Sequence, residues 1–404
     1  MQTSLIDVFR ETPEGQEADA ILRSCVHCGF CTATCPTYQI LGDELDGPRG
    51  RIYLIKQVLE GHAATEKVQA HLDRCLSCRA CETTCPSGVH YGHLLDIGRS
   101  VVERQVGRSW RQSLLRRTLR MLLVHRRRFA ALLAIGRLVR PILPPSLRAK
   151  IPASQSAGGW PEPRHARRML VLDGCVQPSA TPLTNAAAAR VLDRLGISLL
   201  KIREAGCCGA LSQHLGAETE ACDLARRNID AWWPHIEAGA EAIVVTASGC
   251  GVMVKDYGYL LRHDPAYADK AARVSAMSRD LVEVLQQQDL SILQPKTQGP
   301  IAVHAPCTLQ HGQALPGAIE VLLQRAGFTL TGVPDAHLCC GAAGTYSLLQ
   351  PALSQQLLQQ KLAALASGKP EQIVTANIGC QMHLAACSPL PVRHWIELLD
   401  SAPR

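Results

Sequence analysis

The sequence predicts an α+β chain in which a mostly helical N-terminal module precedes two copies of an α/β unit built on a parallel sheet. Three observations carry this. Eight cysteines near the N-terminus fall into two runs of identical spacing, the residues after about 165 repeat themselves with a period of 132, and strand-like and helix-like segments alternate within each copy. Such alternation builds parallel sheets, because a parallel neighbour needs a crossover long enough to hold a helix.

The 404 residues leave room for several domains, and 47% hydrophobic with 19% charged residues is ordinary globular composition. The 18 cysteines are not ordinary. Met1–Ala20 has scattered acids and no apolar stretch of the kind that drives secretion, so the thiols are expected to stay reduced and to act as ligands rather than disulfides. The longest apolar run, Phe129–Gly136, has eight residues, well short of the roughly 18–20 that a membrane span needs.

Cys25, Cys28, Cys31 and Cys35, then Pro36, form C-x2-C-x2-C-x3-C-P, and Cys75, Cys78, Cys81 and Cys85, then Pro86, repeat it. This is the spacing of bacterial two-cluster ferredoxins. Three thiolates two residues apart wrap one cubane, while the fourth lies beyond that loop and reaches the other. The expected sets are Cys25, Cys28, Cys31 and Cys85 on one [4Fe–4S] cluster, and Cys75, Cys78, Cys81 and Cys35 on the second. Zinc also uses C-x2-C pairs, but two full runs each ending in Cys-Pro fit it poorly. Between the runs, Gly42–Lys56 reads as a turn leading into a helix, with Arg49 and Arg51 available to offset cluster charge.

In the second half, strands over Met169–Gly174 and Ile301–Pro306 end at Cys175 and Cys307. A helix closed by Gly196 or Gly327 follows, then Cys207-Cys208-Gly209 or Cys339-Cys340-Gly341. A second strand, Ala242–Thr246 or Gln372–Thr375, leads to Cys250 or Cys380. Ligands of such sheets collect beyond the carboxyl ends of the strands. Two further four-thiol sites are therefore expected: Cys175, Cys207, Cys208 and Cys250, and Cys307, Cys339, Cys340 and Cys380. Thiolates suit iron–sulfur clusters and zinc alike, so either is open here. His304, His311 and His337 stand near the second set and can relay protons or simply pack. Cys222 and Cys387 remain, read as small buried residues.

From Arg99 to Lys150 there are thirteen Arg and one Lys against one acid, a charge of +13 that leaves −6 for the rest of a chain of net +7. Leu114, Leu115, Leu119, Leu122 and Leu123 gather on one side of a helix, and a second helix over Phe129–Val139 stops near Pro141, Pro144 and Pro145. The segment is either a solvated helical linker or a docking surface for an acidic partner or the anionic inner leaflet. No base-reading motif accompanies it, so no nucleic-acid partner is expected. The expected units are 1–98, 99–165, 166–290 and 291–404.

Together these motifs resemble a two-cluster ferredoxin module fused to two CCG (cysteine-rich) domains. Heterodisulfide reductases, anaerobic glycerol-3-phosphate dehydrogenase iron–sulfur subunits, lactate-utilisation proteins and glycolate oxidase iron–sulfur subunits share this arrangement in whole or part. CVHCGFCTATCPTYQILGDELDGPRGRIYLIKQVLEG, HLDRCLSCRACETTCPSGVHYGHLLDIGR, CCGALSQHLG and CCGAAGTYSLLQP resemble the last family in particular. The resemblance implies a separate FAD-containing subunit that oxidises glycolate to glyoxylate, with this chain passing electrons towards quinone at the cytoplasmic face of the bacterial inner membrane. The competing readings are the same role in a lactate or glycerol 3-phosphate dehydrogenase complex, or a heterodisulfide or quinone reductase acting through the CCG clusters. No G-x-G-x-x-G follows a strand, so no catalytic residue for hydride removal is expected in this chain. Many CCG domains end in C-x2-C, whereas Met253 and His383 stand here. That argues against a noncubane cluster and leaves His383 open as an extra ligand.

Overall fold

The computed structural model describes residues 1–144, 148–293 and 299–400. Its N-terminal part is helical. Pro13–Ser24 is capped by Thr12, whose side chain accepts from the Gly15 N–H; Pro48–Leu59 and Tyr91–Val106 follow, packed around Leu22, Ile55, Leu59, Leu94 and Leu95. Pro at the first position of Pro13–Ser24, Pro36–Leu41 and Pro48–Leu59 removes a donor that a helix start leaves unpaired anyway. Helix Tyr91–Val106 runs on past residue 98.

The first repeat contains strands β1 (Arg167–Val171), β2 (Ile197–Lys201), β3 (Ile243–Val245) and β4 (Ser278–Asp280), all parallel, in the order β2-β1-β3-β4. The second contains β5 (Ile301–His304), β6 (Gln372–Thr375) and β7 (Val392–His394), parallel and in that order. The counterpart of β2 is reduced to a single bridge between Ile301 and Leu330. Gly332 and Pro334 follow at once and weaken strand pairing there.

The repeats share one apolar core. Val171, Val191, Leu192 and Val244 pack in the same cluster as Val303, Ile319, Leu322 and Trp395. Across the seam, Ser248 N–H donates to the Ala376 carbonyl (3.0 Å), the Ser248 and Thr308 hydroxyls meet at 2.7 Å, and His394 Nε2 lies 2.8 Å from the Thr246 carbonyl.

The basic segment forms two helices, Trp110–Leu123 and Arg126–Val139, packed as a hairpin. It is anchored, not free: Arg108 and Arg116 pair with Asp73, Arg120 with Glu220, and Arg126 with the buried Asp173 at 2.7 Å. Phe129 and Leu133 pack on Ala180, and Ile378 and Met382 of the second repeat complete that contact. Pro145 lies outside the described residues.

The helical module is braced from within by Asp46. Its fully buried carboxylate pairs with Arg51 (3.4 Å, equally buried) and Arg74 (2.8 Å), with His71 Nδ1 3.1 Å away, and the Arg51 Nε donates to the His71 carbonyl at 2.7 Å. Removing one partner of a buried pair strands the other's charge, at a cost of roughly 3–5 kcal/mol. Asp46→Ala is therefore expected to lower the urea midpoint of the intact protein by that order of destabilisation. An unchanged midpoint would contradict the bracing role.

Candidate metal centres

Two cavities lie between the cysteine runs. Cys25, Cys28, Cys31, Cys81, Cys85 and Arg49 line the first, which holds about 430 Å³ counted out to solvent. Cys35, Cys75, Cys78, Cys81, Arg51 and Tyr91 line the second, about 300 Å³. The fourth cysteine of each run thus stands at the cavity of the other. Cys35 leads into helix Pro36–Leu41, which carries the chain away from its own run. Cys81 borders both cavities.

The loops that aim these thiols are strained in the same way twice. His27 and Ser77, each two residues into its run, have φ of +57° and +51°, and Gly29 and Arg79, two further on, +85° and +61°. Three of these four are not glycine, and left-handed backbone costs such residues about 1–3 kcal/mol. The strain turns successive thiols inward.

The electrostatics fit a cofactor that takes thiolate charge. Burial pushes the Cys31 thiol up to about 11, and raises Cys78 and Cys81 well above the ordinary range, so without a bound cation these groups resist ionising. Donors already face the sulfurs: the Ser77 N–H lies 3.4 Å from Cys75 Sγ and the Tyr91 hydroxyl 3.6 Å from it. Arg51 stands behind the second cavity. Burial works against its charge, but Cys75, Tyr91, Cys35 and Asp46 outweigh it, and the guanidinium stays firmly cationic. Arg49 borders the first cavity and is held by Glu44 at 2.7 Å. Sulfur donors, opposing cation and N–H groups are what thiolate-ligated clusters use. The residues fit the group.

In each repeat the four thiols form a chain of sulfur contacts, Cys175–Cys207–Cys208–Cys250 and Cys307–Cys339–Cys340–Cys380, with Cys307 and Cys339 Sγ 3.8 Å apart. Cys175 and Cys307 follow the first strand, the vicinal pairs sit in loops, and Cys250 and Cys380 lie in the first turns of helices Ser248–Lys255 and Ile378–Ala385. The glycine after each pair is required. Gly209 and Gly341 have φ of +94° and +86°, and a Cβ at Gly341 would come within 2.7 Å of the Ser354 carbonyl oxygen. Each set also has a cation close by. Hydrogen bonds with Cys175 and Cys208 favour the Cys207 thiolate most, with Arg227 adding to them, and the nearly buried Lys361, its amine pulled down by burial, is acted on in the opposite sense by Cys339, Cys340 and Cys307.

The second cavity abuts the second repeat. Cys78 packs with Leu76, Cys307, Cys339 and Tyr346, and the Tyr346 hydroxyl donates to the Arg74 carbonyl at 3.0 Å. The first repeat meets the helical module elsewhere, through Arg79–Asp256 (3.2 Å), Glu17–Arg262 (2.6 Å) and the stacked rings of His93 and Tyr259. Its own thiols are covered by Val124, at the elbow of the basic hairpin.

Several expectations change here. His311 is a bridge between units: its Nε2–H donates to the His337 carbonyl (3.1 Å), so Nδ1 accepts from the Thr83 hydroxyl (2.9 Å). His337 contributes its carbonyl. His383 Nε2 faces Ser354 Oγ at 3.2 Å, and His304 is the histidine that stands beside the second set. Cys387 is exposed rather than buried, because it falls just past the end of helix Ile378–Ala385, and Cys222 is half-buried. Sequence reasoning missed Lys361 and the Cys78–Cys307 junction, since neither has a local signature.

Residues 21–89 match the family model of the 4Fe-4S dicluster domain, and 169–255 and 301–385 match that of the cysteine-rich domain. Fold and donor sets define an iron–sulfur protein that joins a ferredoxin-like module to two CCG domains. The chain is 59% identical, over its full length and 99% of the relative's, to the glycolate oxidase iron–sulfur subunit of Escherichia coli (strain K12). It is 31% identical to the probable glycolate oxidase iron–sulfur subunit of Bacillus subtilis (strain 168), over 90% of this chain and 88% of the other. Lactate utilization protein A of Geobacillus thermodenitrificans is 28% identical over 53% of this chain and 90% of its own length. The chain belongs to the family of glycolate oxidase iron–sulfur subunits, and its chemistry is electron transfer within an oxidoreductase.

The crossed placement of Cys35 and Cys85 yields a test. Cys85→Ser and Cys28→Ser should abolish the same paramagnetic signal of the reduced protein, and Cys35→Ser and Cys78→Ser the other. Loss of one shared signal in Cys35→Ser and Cys28→Ser would show that each run binds its own cluster.

Proposed function

We propose that this chain carries electrons in a complex that oxidises glycolate to glyoxylate, with FAD on a partner subunit and quinone as the acceptor. The observation that carries this reading is the end-to-end likeness to a glycolate oxidase iron–sulfur subunit. [4Fe–4S] clusters supply one-electron chemistry, which divides the electron pair of a reduced flavin. The ligands for them are Cys25, Cys28, Cys31 and Cys85, and Cys75, Cys78, Cys81 and Cys35. What the chain's residues do supports the role. Cys28 is exposed, and Phe30 and Val26 beside it are 61% and 67% exposed, an apolar patch suited to a partner protein. From there the donor sets continue inwards, through the second cavity to Cys307 and Cys339.

Attachment to the cytoplasmic face of the inner membrane is supported by the basic hairpin. Among the described residues no helix is long and apolar enough to cross a membrane. Trp110, Leu114 and Met121 of one helix, and Ile135 and Leu138 of the other, with Ile142 just beyond, are exposed, Ile142 by 83%. Arg111, Arg117 and Arg127 are exposed among them, with no acidic partner in the described residues. Apolar side chains interleaved with unpaired arginines suit an anionic lipid surface, at about 1 kcal/mol per basic residue.

Two measurements test these points. Glycolate, and not lactate or glycerol 3-phosphate, should bleach the iron–sulfur absorbance of the anaerobic complex; bleaching by lactate alone would move the chain to the other branch of its relatives. Replacing Trp110, Leu114, Leu138 and Ile142 by Ser should shift the complex from the membrane pellet to the supernatant while clusters are retained. Undiminished pelleting would remove the hairpin from the attachment.

A further inference from the structure

The two repeats share a backbone but not a donor set. Residues of the second copy follow those of the first by 132 positions at Cys175 and Cys307, and by 130 at Cys250 and Cys380. His304 and Thr375 therefore correspond to Leu172 and Val245. The strand pairing agrees independently. His304 lies opposite Thr375 on β5 and β6, and Val171 lies opposite Val244, which sets Leu172 beside Val245 one residue on. An apolar pair in the first repeat has become an imidazole and a hydroxyl in the second. Both are buried, at 2% and 0% exposure.

Burying an imidazole is costly unless its nitrogens are used. Nδ1 is used: it lies 3.0 Å from Thr375 Oγ1. Nε2 has no hydrogen-bond partner among the described residues. The two sulfurs at the end of the thiol chain are close by: a ring nitrogen of His304, Cys340 Sγ and Cys380 Sγ all lie within 4.8 Å of one another. In the tautomer whose Nδ1–H donates to Thr375 the Nε2 lone pair is free, the arrangement by which an outer hydroxyl or carbonyl fixes a ligating histidine. Bonds of about 2.0–2.3 Å to one tetrahedral ion put ligand atoms roughly 3.3–3.8 Å apart, so a small closure of these side chains suffices. The Asn377 amide, 3.4 Å from Cys380 Sγ, supports the sulfur from outside.

We propose that His304 Nε2 is a protein ligand of the second repeat, binding one borderline transition-metal ion together with Cys340 and Cys380, and that the first repeat has no such ligand. The inference rests on the reading that the CCG thiols hold metal. The ion is either zinc or one iron of a cluster, and the donor chemistry is the same for both.

The test uses full-length protein purified anaerobically, with and without 15N-labelled histidine, beside His304→Leu. Leucine already occupies this position in the first repeat, so the variant is expected to fold, and the wild-type spectra need no variant. If the metal is iron, a strong histidine nitrogen coupling should appear in the paramagnetic resonance and vanish in His304→Leu. If it is zinc, the nitrogen contribution at the zinc absorption edge should vanish instead. In both cases the signals of the N-terminal module should be unchanged. Nitrogen signals that persist in His304→Leu, or a metal-loaded second repeat without any, would overturn the assignment of His304. A Cys340→Ser,Cys380→Ser protein with the full metal content of wild type would overturn the underlying reading as well, and is a separate result.

Discussion

Thiolates gathered a few ångströms apart inside a protein repel one another, and the chain is organised around holding them there. Burial alone drives these groups towards the neutral thiol, as Cys31, Cys78 and Cys81 show. What favours the charged state is positive charge: a metal within the cavity, and a cation outside it. Arg51 behind the second cavity, Arg49 beside the first, Arg227 in one repeat and Lys361 in the other all stand in that position. The Asp46 network then exists because Arg51 is too deep to be left without an acid.

The same constraint explains the backbone. A sulfur at the end of a parallel strand reaches the rim of the sheet, where loops from several strands converge. Four thiols per repeat meet there because two come from one loop, one from the end of the first strand and one from a helix start. The helical module achieves the convergence differently, by left-handed residues at matching places in both runs. Docking the module on the second repeat places Cys78 beside Cys307 and Cys339, so separate sites become a connected series. The basic hairpin closes the first repeat's thiols with Val124 and leaves its outer faces for a surface.

Much of this was legible in the residues. Spacing grouped the thiols that line the two cavities, and self-similarity located the repeats. Gln372–Thr375 is a strand at the expected bounds, while Met169–Gly174 begins and ends a few residues early, at Arg167 and Val171. What the sequence could not supply is contact between distant segments. Arg116 and Arg126 look like free charges in a basic run, yet Asp73 and Asp173 take them up. His383 stands three residues after Cys380, but it faces Ser354. His304 gains meaning only when the register sets it beside Thr375 and the fold brings Cys340 and Cys380 close to it.

The most direct measurement is the iron and acid-labile sulfide content of anaerobically isolated protein. Two cubanes require about eight of each per chain, in equal amounts, before any contribution from the repeats. Brown protein with iron and sulfide at or above that level is the predicted result. Colourless protein carrying zinc, with no labile sulfide, would contradict the account at its root.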